Sequence, residues 1–282
     1  MAREMKDGPV DIEAGGAGTG QFYPNMMENP RFRWGFIRKV YVIIAMQLLL
    51  TVGVAAIVVF VEPVATFMVS IPAGLAVYVS IFISTVLVLI LLHVFMKRHP
   101  INLLLLAFFT CLMAFAIGTS CAYTKGECHH FLLIESAQLF TLSMYWHYDK
   151  YGVCLSLIGQ VFERKVVLLA AILTVVVVVS LTLYTFWAVR RGQDFSFLGP
   201  FLFAGFMMLL VFMLIQIFFP LGRLSRTIYG CLAALLFSAF IVYDTDNLIK
   251  RFGYDEYIPA AVSLYLDIVN LFLALLTIFK TE

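Results

Sequence analysis

Charged side chains are scarce: Asp, Glu, Lys and Arg supply 13% of the 282 residues, whereas 62% of the residues are hydrophobic. A soluble core of this size could not hide so much apolar surface, so the composition excludes an ordinary soluble domain and predicts an integral membrane protein. The net charge of +2 is small and the basic residues are scattered, which excludes an extended nucleic-acid-binding surface. We therefore expect the lipid bilayer, and not nucleic acid, as a partner.

Cysteine is also scarce, and the motifs of catalysis are missing. The five cysteines lie mostly in apolar stretches and have neither metal-ligand spacing nor the pattern of a disulfide framework. The chain lacks the Gly-x-Gly-Asp motif of intramembrane aspartyl proteases. The glycines between Gly15 and Gly20 do not follow a strand, which argues against a phosphate-binding loop. We expect no enzyme and no resident cofactor.

The N-terminal region has no short apolar stretch followed by a cleavage site, so we expect no removable signal peptide. Residues 1–35 are polar and contain clustered glycines and several prolines, which predicts a flexible tail. The rest of the chain, residues 36–282, is then a transmembrane bundle, and its first helix directs the protein to the membrane.

Long apolar runs are what the chain has in abundance. Their lengths predict seven membrane helices, separated by breaks in which charge, Pro and Gly disfavour continuation through hydrocarbon. The predicted helices are Val40–Val61, Ile71–Met96, Ile101–Tyr123, Val166–Val189, Phe197–Phe219, Thr227–Asn247 and Tyr257–Phe279. The fold class predicted is therefore all-α, a polytopic bundle of seven transmembrane helices.

Residues 127–164 fit this pattern poorly. Acidic, basic and histidine residues interrupt the segment, and its apolar part, Phe131–Tyr148, is too short and polar for a confident membrane span. We interpret residues 127–164 as an atypical insertion that forms an interfacial helix. If the segment crossed the membrane instead, it would reverse the direction of every later helix.

The basic residues give the bundle an orientation. If each helix crosses once, most of them fall on the side of the N-terminus, which the positive-inside rule places in the cytosol. Arg223 and Arg226 lie on the opposite side and weaken this bias. Seven crossings place Glu282 outside, whereas a last segment that enters and returns to the same face leaves it cytosolic. The residues that favour a cytosolic N-terminus are Arg31, Arg33, Arg38, Lys39, Lys97, Arg98, Arg190, Arg191, Lys250 and Arg251.

Asp267 lies near the middle of the apolar run Tyr257–Phe279. An ionised Asp at the centre of a membrane helix costs roughly 2.5–3.5 kcal/mol on insertion scales, so such a group usually faces a bundle interior or a wet cavity and has a partner. The obvious partner is Asp244, which closes the preceding apolar stretch. Two carboxylates that share a site cannot both ionise easily, so this pair predicts a proton-sensitive cation site.

Other polar residues accompany the two acids. Asn270 lies three residues after Asp267 and Ser263 four before it, so on a helix the three side chains share a face that could line a polar path. Alternatively, Asn270 bonds neighbouring helices without any permeation. Each aspartate could also lie at a helix end in headgroup water. Asp246 points away from Asp244 on an ideal helix, and we expect it to be a helix-end or loop residue.

Four sequence segments resemble a known family. They closely match the signature of the Bax inhibitor/Lifeguard family and, within it, the Lifeguard branch of plant type. The resemblance extends from about Arg31 to Phe279 but omits residues 127–164, where the family has a much shorter connection. The matching segments are Phe237–Asp246, Leu264–Phe272, Asp194–Gly199 and His99–Leu103.

The resemblance implies a seven-helix bundle with the last helix near its centre and a calcium-leak activity controlled by an aspartyl pair that senses pH. On matching positions this pair is Asp244 and Asp267, which would also hold calcium transiently as the permeant ion. A basic residue at the end of the second helix latches one aspartate, and either Lys97 or Arg98 occupies that place. The resemblance also implies endoplasmic reticulum or another internal membrane as the location, and suppression of stress-induced cell death.

Two other functions remain open at this point. The protein could be a scaffold that binds cell-death regulatory membrane proteins without conducting ions, its acids serving only folding. A proton-coupled transporter of a small solute would suit the same acids, but the chain has no clear internal repetition of the kind that transporters contain. Calcium ions and protons are the expected small partners in the leak interpretation.

Overall fold

The computed structural model describes residues 30–61, 73–96, 98–122, 164–218 and 222–280. Within these ranges the chain folds into seven helices and no strands. Residues 1–29 and nearly all of the predicted insertion at 127–164 lie outside the described residues. In chain order the helices are α1 (Pro30–Phe60), α2 (Ala73–Val94), α3 (Ile101–Ala122), α4 (Arg164–Arg190), α5 (Leu198–Phe218), α6 (Gly222–Lys250) and α7 (Tyr257–Lys280).

Six of these helices are long and apolar enough to cross a membrane, and α2 contributes the shorter apolar stretch Val79–Val94. The prediction of an all-α, multi-pass membrane protein is therefore confirmed. A helix satisfies its own backbone N–H and C=O groups, which is why an apolar chain of this composition can span lipid in this form.

Two helices extend three or more residues beyond a predicted bound. The first begins at Pro30, not at Val40, so residues 30–35 are helical although the sequence placed them in the polar tail. The sixth runs from Gly222 to Lys250, several residues beyond Thr227–Asn247 at both ends. Apolar length detects only the part of a helix that lies in hydrocarbon, and both helices continue through polar and basic residues.

The helices α6 and α7 form the most extensive contact of the bundle. The last helix also packs against α1 and α4, and α6 also packs against α4 and α5. Every residue from Tyr257 to Leu271 is buried. A helix buried on all sides lies against neighbouring helices and not against lipid. The central position of the last helix remains a prediction.

Polar contacts fix α7 against α1 and α3. The hydroxyl groups of Tyr265 and Thr51 are 2.8 Å apart, inside the bundle. At the start of α7, the Asn102 side-chain amide donates a hydrogen bond to the Tyr257 hydroxyl over 2.9 Å. Because buried polar groups must find partners, these contacts define the depth and rotation of α7.

Glycines permit two close helix contacts. A Cβ atom on Gly118 would lie 2.9 Å from the Cα atom of Ala55, so α3 and α1 approach each other at backbone distance. A Cβ atom on Gly230 would lie 3.2 Å from the carbonyl oxygen of Ala274, which brings α6 close to α7. Small residues serve this purpose in membrane bundles, where close packing replaces the hydrophobic effect between helices.

Candidate functional site

The two aspartates predicted from the sequence lie on the neighbouring helices α6 and α7, Asp244 on the former and Asp267 on the latter. Asp244 has 3% and Asp267 has 5% of its surface exposed, so neither lies in open water. The side chain of Asp267 is in hydrogen-bonding and electrostatic contact with that of Asp244. Two carboxyl groups can form a hydrogen bond with each other only when one of them carries a proton. Two carboxyl groups placed in this way can share one proton.

One acceptor atom of this pair is left over. In the part of the chain that the structure describes, the Oδ2 atom of Asp267 is buried and has no hydrogen-bond partner. A buried carboxylate oxygen without a partner is costly and attracts a proton, a water molecule or a cation. This atom makes the pair a candidate site for a transient ligand.

The other predicted pathway residues are also buried on α7. Ser263 has 7% and Asn270 has 2% of its surface exposed. The Ser263 hydroxyl donates a hydrogen bond to the carbonyl oxygen of Ala260 over 3.3 Å. Their spacing about Asp267 places all three side chains on one face of the helix.

Of the two latch candidates, only Arg98 lies among the described residues. Lys97 lies outside the described residues. Arg98 is exposed, and its guanidinium group lies 5.8 Å from the centre of the Phe95 ring. This contact is with an aromatic side chain that directly follows α2.

The described residues contain no group of three or more His, Cys, Asp or Glu side chains that could hold a metal ion. A stable calcium site uses six to eight oxygen ligands. Two carboxylates alone are chemically suited to brief contact with a passing cation.

A third aspartate, Asp246, was expected at a helix end or in a loop, and it lies close to the end of α6. It lies inside α6 and is fully buried, with 0% of its surface exposed. Its Oδ1 atom is 2.6 Å from the Nζ atom of Lys250, one helical turn later. The ion pair supplies the partner that a buried carboxylate requires, which explains why burial is tolerated.

Lys250 extends this contact to the loop between α4 and α5. Its Nζ atom donates a hydrogen bond to the carbonyl oxygen of Gln193 over 2.7 Å and lies 3.2 Å from Oδ1 of Asp194. The Ser196 hydroxyl donates a hydrogen bond to the same Asp194 oxygen over 2.6 Å. We call Asp194, Asp246 and Lys250 the α6-end cluster.

The loop reaches Lys250 because of the way α4 ends. The N–H groups of Gly192 and Gln193 donate hydrogen bonds to the carbonyl oxygens of Val189 and Ala188 over 2.9 and 3.1 Å. Gly192 has a φ of 80°, a left-handed conformation that a glycine adopts without strain. This is a Schellman termination, and it turns the chain so that Asp194 faces the end of α6.

The α6-end cluster leads to a pH prediction. The hydrogen bond from the Ser196 hydroxyl holds the pKa of Asp194 below its ordinary value of 3.8, at about 2. Burial opposes this shift, and Lys250 adds to it. A lowered folded-state pKa stabilises the fold above the unfolded-state pKa, and this contribution is lost as pH falls through the folded-state pKa. We expect Asp194→Asn to flatten the loss of thermal stability between about pH 4 and pH 2. Unfolding temperatures in detergent would measure it, and equal slopes in both proteins would contradict it.

Arg33 holds the end of α6 from the side of α1. It is buried, with 4% of its surface exposed, and its Nε atom donates a hydrogen bond to the carbonyl oxygen of Ile249 over 2.8 Å. Its Nη1 atom donates to the carbonyl oxygen of Phe252. Carbonyl groups at a helix end have no partner within the helix, so a buried guanidinium group caps α6 and complements its dipole.

Comparison with known proteins settles the family. The family model described as "Inhibitor of apoptosis-promoting Bax1" matches residues 33–147 and 150–282. The chain belongs to the Bax inhibitor/Lifeguard family. It is 53% identical over 271 residues to Protein LIFEGUARD 4 of Arabidopsis thaliana, which covers 96% of this chain and 94% of the relative. The resemblance found in the sequence, including its plant-like branch, is confirmed.

Two further relatives show how far the similarity reaches. Protein LIFEGUARD 3 of Arabidopsis thaliana is 52% identical over 258 residues, which covers 92% of this chain and 89% of the relative. The Golgi anti-apoptotic protein of Vaccinia virus (strain Lister) is 32% identical over 251 residues, which covers 89% of this chain and 86% of the relative. The Bax inhibitor/Lifeguard similarity thus covers most of each protein.

Sequence reasoning about this Lifeguard-family chain missed two charged contacts. A signal for the first was available, since Asp246 and Lys250 are four residues apart with the acid first, the favourable order for an ion pair on a helix. The second had no such signal. Nothing in the spacing of Arg33 distinguishes it from the exposed Arg38 and Lys39, and only the packing of α1 brings it to α6.

Proposed function

We propose that this chain forms a pH-sensitive calcium leak in an internal membrane, and that this leak contributes to the suppression of stress-induced cell death. The observation that carries the proposal is the contact of two buried carboxyl groups, Asp244 and Asp267, between the two helices that pack most extensively. The family to which the chain belongs supports it, as does the name of the viral relative, a Golgi anti-apoptotic protein.

The proposed gate is the shared proton. With one proton between them, Asp244 and Asp267 attract each other and hold α6 against α7. When the proton leaves, two like charges face each other in a poorly solvated place, where repulsion is strong. Separation of the helices or entry of a cation relieves it, and calcium favours hard oxygen ligands of this kind. The leak therefore rises as pH rises.

The proposal extends to the surroundings of the pair. Ser263 and Asn270 line the path on the face of α7 that carries Asp267, and α7 is the central helix of the bundle. The burial of α7 from Tyr257 to Leu271 supports this arrangement. The N-terminus lies in the cytosol, and the membrane is that of the endoplasmic reticulum or another internal compartment. A basic residue at the end of α2, Lys97 or Arg98, latches one aspartate in the closed state.

Reconstitution tests the proposal directly. We expect the purified protein, in liposomes loaded with a calcium indicator, to admit calcium faster as the external pH is raised through neutrality. Lys97→Ala and Arg98→Ala, measured in the same way, identify the latch as the position whose loss increases the leak at acidic pH. A calcium leak that does not respond to pH would contradict the gating proposal, and two latch variants identical to the parent would remove the latch from it.

A scaffold that binds cell-death regulatory membrane proteins is the second candidate, favoured by the anti-apoptotic name of the viral relative. It differs from the leak in one measurable respect. If the protein acts as a scaffold, Asp267→Asn still protects cells from stress, whatever the substitution does to calcium flux in liposomes. If it acts as a leak, Asp267→Asn loses the increase of calcium flux at alkaline pH and loses protection together with it.

A further inference from the structure

The α6-end cluster lies close to the proposed gate along the same helix. Asp246 follows Asp244 by two residues, and both are buried. Successive positions on an α-helix are about 100° apart, so the two carboxylates leave α6 in different directions. Asp244 faces α7, whereas Asp246 faces Lys250 and the loop that carries Asp194.

We propose that Asp246, Lys250 and Asp194 are positioning residues that hold the end of α6 against the α4–α5 loop and thereby maintain the contact between Asp244 and Asp267. This inference rests on the proposed function, since its consequence is read from the pH dependence of the leak. The cluster joins two elements that are far apart in the chain, because Lys250 contacts Asp246 in its own helix and Asp194 in the loop.

The charges of the cluster determine how it responds to substitution. Asp246 is fully buried, so loss of the Lys250 ammonium group leaves a carboxylate without its counter-ion, and separating them is strongly destabilising. Lys250 is better placed to move, since 24% of its side chain is exposed, and so is Asp194, at 61%. The exposed side of the cluster is therefore where the loop separates first.

Other polar groups also act on this end of α6. Arg251, just after the helix, donates a hydrogen bond to the Ser196 hydroxyl and adds a second link to the same loop. From α1, Arg33 caps the helix. These groups remain in place when Lys250 is changed, so loss of the cluster loosens the end of α6 and does not unfold it.

The test uses two variants of the full-length protein. Lys250→Met removes the counter-ion, and the double variant Asp246→Asn/Lys250→Met also removes the buried charge, which preserves folding if the single variant fails to fold. Asp255→Asn is the matched control, an exposed acid in the loop that follows α6. Hydrogen–deuterium exchange of residues 191–198 and of the last turn of α6 is measured in detergent, and the pH profile of the calcium leak is measured in liposomes.

We expect exchange in both segments to become several-fold faster in the Lys250 variants, and the leak profile to shift toward acidic pH because the aspartyl contact is weaker. Asp255→Asn should change neither. Unchanged exchange overturns the positioning role whatever the leak does. Faster exchange with an unshifted profile shows a merely structural link and also overturns the inference. A parent protein without a pH-dependent leak overturns the proposed function, and exchange then still decides whether the cluster holds the loop.

Discussion

Asp267→Asn is expected to abolish the pH dependence of the calcium leak and to hold the protein near its low-pH flux at every pH. An asparagine keeps the size and the hydrogen bonding of a protonated Asp267 but cannot ionise, so two negative charges never face each other across α6 and α7. Two unit charges about 4 Å apart repel by about 4 kcal/mol at an effective dielectric constant of about 20. We therefore expect flux at alkaline pH to fall by at least about tenfold, which corresponds to about 1.4 kcal/mol in the opening equilibrium.

The measurement is calcium entry into liposomes over a series of pH values, with size-exclusion chromatography to show that each variant is folded. Asp255→Asn provides the control, because Asp255 is an exposed acid outside the pair. Asp267→Glu retains an ionisable group and should restore a pH response. If Asp267→Asn keeps the pH profile of the parent, the paired carboxyl groups do not control the leak.

Arg33→Ala is expected to be strongly destabilising. The substitution removes the buried guanidinium group that donates to the carbonyl oxygens of Ile249 and Phe252, and it leaves these oxygens unpaired at the end of α6. It also removes the guanidinium group from its place 5.2 Å from the centre of the Phe36 ring. Loss of charged hydrogen bonds from a buried site leads us to expect a decrease of about 2–4 kcal/mol in the free energy of unfolding.

Denaturant titration in micelles would measure this change. Arg38→Ala is the matched control, because Arg38 is exposed on the same helix and its loss should change stability by less than about 0.5 kcal/mol. Arg33→Lys should restore only part of the stability, since an ammonium group cannot reproduce the planar fork that reaches two carbonyl groups. Equal stability of Arg33→Ala and Arg38→Ala would show that the cap contributes nothing.

The helices were predictable because each one corresponds to a continuous run of apolar residues that is long enough to span the bilayer. Their ends were less predictable. Pro30–Gly35 looked like part of the tail because its residues are polar, yet they continue α1 and bring Arg33 to α6. Hydrophobicity shows which part of a helix lies in the apolar part of the membrane. The residue at which the helix ends is decided by hydrogen bonding and tertiary contacts.

The candidate site was predicted from the sequence by a similar local signal. Asp267 and Asp244 stood out because an acid in an apolar run is costly and needs a partner. The burial of Asp246 could not be predicted from the sequence. It depends on contacts with a loop that lies more than fifty residues earlier in the chain. An ion pair between distant residues produces no recognisable sequence pattern in either of the two segments that it joins.

The sequence by itself determined that this protein resides in a membrane, that it is helical and which family it belongs to. Composition, the length of apolar runs and short motifs can all be read without knowing how distant residues pack. Only the tertiary structure decided which polar groups meet inside the bundle. It brought Lys250 to Asp194 and Arg33 to the end of α6. The physical reason is that buried charges need partners, and helix packing alone selects those partners from distant parts of the chain.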